Sequence, residues 1–155
     1  MADNFTFKDG AGATRTMGTK EVSGVNQTRT LSTMSEYLAD VASSARVTSA
    51  ASNNATSVSA SPAIVYGLTL TNLAGTTQYL KLYNKASAPA PATDNALLIA
   101  VIPIPGSGLR EVRFHNGLAF STGLAYAIVA GVSDTDNTNA TANGVMGNIS
   151  WKAAR

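Results

Sequence analysis

Apolar and polar positions alternate in short, closely spaced runs from about residue 56 to the end of the chain, and hardly at all in the first third. Ile64, Tyr66, Leu68 and Leu70 alternate with Val65, Gly67, Thr69 and Thr71. That period of two predicts a half-buried strand with the first four side chains inward. Gln78 to Asn84 places Leu80 and Leu82 on one face and Tyr79, Lys81 and Tyr83 on the other. Leu97 to Ile104 is continuously apolar, the pattern of a strand covered on both faces, with Pro103 and Pro105 to stop it. Arg110, Val112 and Phe114 then oppose Glu111 and Arg113, and Asn116-Gly117 predicts a hairpin turn before a short Leu118–Phe120 strand. Leu124, Tyr126, Ile128 and Ala130 form the next inward row. After the polar loop 133–144, Val145 to Lys152 closes the domain with Ile149 and Trp151 inward. Roughly eight short strands divided by turn residues predict an all-β fold, an antiparallel β-sandwich or jelly-roll-like domain over residues 56–155.

Residues 1–55 read differently, as an extended N-terminal arm with one short helix. Phe5 and Phe7 alternate with Asn4, Thr6 and Lys8, which suggests a short strand in need of a sheet edge. Met34, Tyr37, Leu38, Val41, Ala42 and Ala45 follow helical spacing behind a Thr33-Met34-Ser35-Glu36 capping box, predicting a helix over about 33–45. Val47 to Ser61 suits either a linker or an edge strand. Its Asn53-Asn54 pair suits a turn, and Ala55 to Ala60 alternates into the first strand of the domain. An arm this poor in large apolar residues cannot offset its ordering entropy alone, so other chains are expected to hold it. Phe5, Phe7, Met34, Tyr37, Leu38 and Val41 are the candidate partner-binding residues.

Composition sharpens that expectation. Only 13% of residues are charged, and Val47 to Leu80 contains no charged residue, which favours burial against a partner over a solvated face. The net charge is +2 and the basic residues are scattered without a run, so nucleic acid is not an expected partner. No cysteine is present, which excludes disulfides and thiolate metal sites. Met1-Ala2-Asp3-Asn4 does not open like a signal peptide, and Ala96 to Pro105 is too short to cross a bilayer, so no membrane is expected either.

Candidate chemistry is sparse. Catalysis needs convergent titratable groups, yet the single histidine, His115, falls at the expected hairpin turn and reads as a bystander. Ser121 stands in Ser121-Thr122-Gly123, not in a nucleophile elbow. Asp134-Thr135-Asp136 opens like a calcium loop, but Thr138, Asn139 and Val145 stand where the further ligands and the turn glycine belong. Gly10-Ala11-Gly12 lacks the lysine of a phosphate loop. Tyr79, Tyr83, Tyr126 and Trp151 could make a sugar platform, but Tyr126 and Trp151 fall in inward rows. No enzyme activity, cofactor, metal or small-molecule substrate is expected.

Tyr79-Leu80-Lys81-Leu82-Tyr83-Asn84-Lys85-Ala86, Ile102-Pro103-Ile104-Pro105, Asn116 through Leu124, and Gly131-Val132-Ser133-Asp134-Thr135-Asp136 together resemble a β-sandwich of tailed-bacteriophage virion proteins. The likeness covers about the C-terminal two thirds, and more loosely the opening, with Glu21-Val22-Ser23-Gly24-Val25. It implies a virion structural protein, a group spanning capsid decoration proteins and tail or fibre components. With no visible repeat to build a shaft, the expectation is a capsid decoration (cement) protein. It would be made in the host bacterial cytoplasm and staple neighbouring subunits of the outer head shell. Its expected partners are the major capsid protein and sister copies, most simply as a homotrimer. The alternative is a tail or fibre component that binds a host glycan.

Overall fold

A computed structural model describes residues 4–8, 14–18 and 42–154. The chain divides into two compact units, Met1–Val41 and Ala42–Arg155. In the first, β1 (Asn4–Lys8) and β2 (Thr14–Gly18) pair antiparallel, Phe5 opposite Met17 and Phe7 opposite Arg15. Met34, Tyr37, Leu38 and Val41 lie outside the described residues.

The second unit is all-β, with two four-stranded antiparallel sheets. Its strands are β3 (Ser43–Thr48), β4 (Thr56–Ser59), β5 (Ala63–Asn72), β6 (Gln78–Asn84), β7 (Leu98–Ile104), β8 (Gly108–Phe120), β9 (Leu124–Val129) and β10 (Val145–Ala153). One sheet runs β3-β10-β5-β8 and the other β4-β9-β6-β7. Side chains from both, including Val47, Val65, Leu70, Leu80, Leu82, Phe120, Ile128 and Ile149, form one hydrophobic cluster.

Several expectations need correction. The tail of the expected helix is strand: Ser43–Ala45 begin β3, and the unit starts at Ala42 rather than at residue 56. The cause is a period of two at the end of the segment, where Ala45 packs on the core and Val47 is fully buried. Pairing with β10 then supplies a complete ladder from Ser43 to Thr48. The tract after Val47 is therefore neither pure linker nor one strand, and Asn54 turns it at φ +54°.

Leu98–Ile104 is an edge strand, not a strand sealed on both faces. Ile99 and Pro103 are exposed, and Pro103 sits inside β7 opposite Tyr79, which an edge tolerates because no neighbour needs its missing N–H. Asn116-Gly117 makes no hairpin either. β8 runs on through it to Phe120, with Gly117 at φ +75° inside a bulge. β5 is long enough to pair with β8 on both sides of that bulge, so no chain reversal is needed. Ala130 lies past the end of β9 and is exposed.

The largest departure lies in β5. Ala63 and Val65 point inward, then Leu68 and Leu70, so the alternation changes phase at Tyr66-Gly67. Both ladders break there. β10 steps from Gly67–Ser150 to Val65–Trp151, and β8 from Gly67–Arg113 to Val65–Leu118. Tyr66 has no cross-strand partner on either side, and the bulge directs it away from the core.

Candidate functional site

The two sheets differ on their outer faces. On β6 and β9, Lys81, Tyr83, Ala125, Ala127 and Val129 alternate with the core residues, yet all are buried. A buried lysine needs partners for its charge, and the loop after β9 supplies them. The Lys81 ammonium Nζ donates to the carbonyl oxygens of Ser133 at 2.7 Å, Asp134 at 3.1 Å and Asp136 at 2.8 Å. Burial lowers the Lys81 pKa, and the carboxylates of Asp136 and Asp134 oppose that shift.

Asp136 in turn closes the loop, accepting from the Gly131 N–H at 3.1 Å and from the Thr138 N–H and hydroxyl at 3.1 and 2.7 Å. Burial pushes its carboxyl up, but the Thr138 and Gly131 bonds and the Lys81 charge outweigh this and hold it below the usual range. The Asp134-x-Asp136 segment thus wraps a tethered ammonium with its main-chain carbonyls, while Asp136 Oδ1 is taken up by the Gly131 N–H and the Thr138 N–H and hydroxyl. Among the described residues no group of three or more His, Cys, Asp or Glu side chains could hold a metal ion.

Tyr83 lies beside this latch, packed with Ala125, Ala127 and Leu98. Its hydroxyl is buried without a hydrogen-bond partner. Burial, then the charges of Asp94 and Asp134, push its pKa up to about 12. Because the folded value lies above the unfolded one near 10, the associated stability is complete below pH 10 and lost as pH rises toward 12. Replacing Tyr83 with phenylalanine removes the orphaned hydroxyl. Thermal unfolding is expected to show a gain of about 1 kcal/mol at pH 7 and a shallower alkaline decline.

Near the Pro-rich loop, Asp94 accepts from the Ala90 N–H at 2.6 Å and pairs with Lys85. The Ala90 bond first, then Lys85, holds its carboxyl low. These charged groups are engaged within the fold.

The outer face of β3-β10-β5-β8 carries rows of polar side chains. Arg46, Asn148, Thr69 and Glu111 form one exposed row across the four strands. In the next row, Ser44, Ser150 and Arg113 are exposed, and Gly67 leaves the floor between Ser150 and Arg113 without a side chain. A Cβ on Gly67 would sit 2.8 Å from the Val112 carbonyl oxygen. The result is a groove of about 430 Å³ lined by Tyr66, Gly67, Leu68, Thr69, Glu111–His115 and Ser150.

Arg113 donates from Nε and Nη2 to Glu111 Oε1 at 2.9 and 2.8 Å, and the Lys152 ammonium stands 5.7 Å from the Tyr66 ring centroid. His115 lines this groove on the bulge rather than at a turn tip.

Other sequence candidates are dispersed. Ser121 accepts from the Asn84 amide at 3.0 Å and meets no histidine. Tyr83 and Tyr126 are buried, and Tyr79 and Trp151 half-buried, so they make no common platform. Alternation alone predicts Tyr66 in the core; the one sequence signal for its outward position is the glycine that follows it. No described helix is long and apolar enough to cross a membrane. Comparison of the chain with protein-family models, with curated proteins and with solved structures returns no match.

Proposed function

We propose that this chain is a bacteriophage capsid decoration protein: a jelly-roll sandwich that docks on the outer head shell and staples neighbouring subunits. The arm of residues 1–41 adds contacts to shell and sister copies. The strand order supports the jelly roll, since successive strands pass between the sheets except at the β6–β7 hairpin, as two Greek keys would require.

One observation carries the assembly role. β7 is an edge strand of one sheet and β8 of the other, and the two contact each other, forming a rim. Leu97 and Ile99, at 37% and 44% exposure, lie at the start of β7, and Leu109, at 60%, lies on the outer face of β8, so each side of the rim carries exposed apolar side chains. An open edge with apolar side chains invites pairing unless a partner covers it. Pro103 and the inward-facing Arg110 limit unselective strand addition there. The pattern fits contact through side chains with a defined neighbour.

The test is binding of purified protein to heads stripped of decoration, alongside light scattering of the free protein. Wild type is expected to be a trimer that saturates the shells. Ile99→Lys with Leu109→Lys should weaken shell binding about thirtyfold or more. Equal binding by the double variant, or none by wild type, overturns the proposal.

A further inference from the structure

We infer that the Tyr66 groove is a saccharide-binding site, taking a hexopyranose through its hydroxyls and one C–H face. The inference is independent of where on a virion the protein sits.

The groups that converge there select a polyol over other small ligands. Glu111 and Arg113 are bound to each other through only one carboxylate oxygen and two guanidinium nitrogens. Oε2 and Nη1 therefore have no partner among the described residues and leave one acceptor and one donor open beside the groove. Sugar hydroxyls can meet them, one donating to Oε2 and another accepting from Nη1. The Thr69 and Ser150 hydroxyls line the same groove, are exposed and make no side-chain hydrogen bond among the described residues.

Tyr66 is half-buried and offers the groove part of an aromatic surface whose position the sheet fixes, while Phe114 packs its side chain on the core beneath. Lys152 over the Tyr66 ring steadies it further. Aromatic surface against C–H groups, with planar polar side chains for the hydroxyls, is what a sugar ring requires.

Competing ligand classes fit less well. Glu111 offsets Arg113, so the groove lacks the concentrated positive charge of a phosphate site. Its floor is the sheet backbone at Gly67 rather than a deep apolar cavity, which disfavours a lipid chain. A volume of about 430 Å³ lies within the range of small-molecule sites. The bulge also has a use here, because it alone turns Tyr66 outward and carries His115 to the groove wall.

The experiment is a titration of the ¹⁵N-labelled full chain with the methyl glycosides of glucose, galactose, mannose and rhamnose. Saturable shifts are expected for at least one, clustered on the amides of Gly67, Thr69, Arg113, His115 and Ser150. An open site with few contacts should bind in the range of about 1 mM or weaker.

Glu111→Gln and Tyr66→Ala should each weaken binding about tenfold while the remaining spectrum stays unchanged. The matching deoxy-glycoside should fail likewise. Ile99→Lys should leave sugar binding intact, which separates this result from that of the rim. Absence of saturable groove shifts with all four glycosides, or binding indifferent to Glu111→Gln, overturns the inference.

Discussion

Replacing Lys81 with methionine is expected to cost about 3–5 kcal/mol of folding stability. The stem keeps its packing, but the carbonyls of Ser133, Asp134 and Asp136 lose their shared donor in a place where Lys81 is fully buried. An acceptor left unmade costs about 1–3 kcal/mol where water is excluded, and because Ser133 and Asp134 are exposed, relaxation of the loop toward water recovers part of the sum. Arginine should not rescue the loss, because a planar fork cannot replace a compact ammonium among three converging carbonyls. Urea denaturation of both variants measures the effect. A methionine variant within about 1 kcal/mol of wild type would refute this account.

Gly147→Ala should be comparably damaging, costing about 3 kcal/mol or more, or preventing soluble expression. Gly147 sits at φ +153°, a conformation that side-chain-bearing residues rarely adopt. Its Cβ would drive into the Thr69 carbonyl and lie 2.9 Å from Leu70 Cα. Both are backbone atoms of the central strand β5, held between β10 and β8, so neither can move without disturbing two ladders. Thermal unfolding is the measurement, and an unaltered midpoint would contradict the geometry.

Much of the β body was legible because burial writes a period of two into each strand. β6 has the expected bounds and its Leu80/Leu82 face, and β9 and β10 turn Tyr126, Ile149 and Trp151 toward the core as their alternation predicts. What alternation cannot reveal is an extra residue. Around Tyr66 the letters alternate without interruption, so the phase change is invisible until two neighbouring strands fix the register. Asn116-Gly117 misleads for a related reason: the glycine conformation that favours a hairpin serves a bulge equally well. Ser43–Ala45 carried helical spacing, but the ladder offered by β10 overrides so weak a local preference. Lys81 reads as a surface charge because its partners are main-chain oxygens, which no side-chain pattern announces. The groove combines two of these hidden features, the phase change at Tyr66 and the bulge at Asn116-Gly117, and that is why no motif pointed to it.

Tyr66 also makes β5 tolerant of an unusual change. Because it is the one unmatched residue between Val65 and Gly67 against β10, excising it would join two stretches already aligned with Trp151 and Ser150. Ala63, Val65, Leu68 and Leu70 would keep facing the core along an uninterrupted pleat. Length variation at this point therefore acts on the surface alone: a chain one residue shorter could retain its architecture while discarding the feature that distinguishes its exposed side.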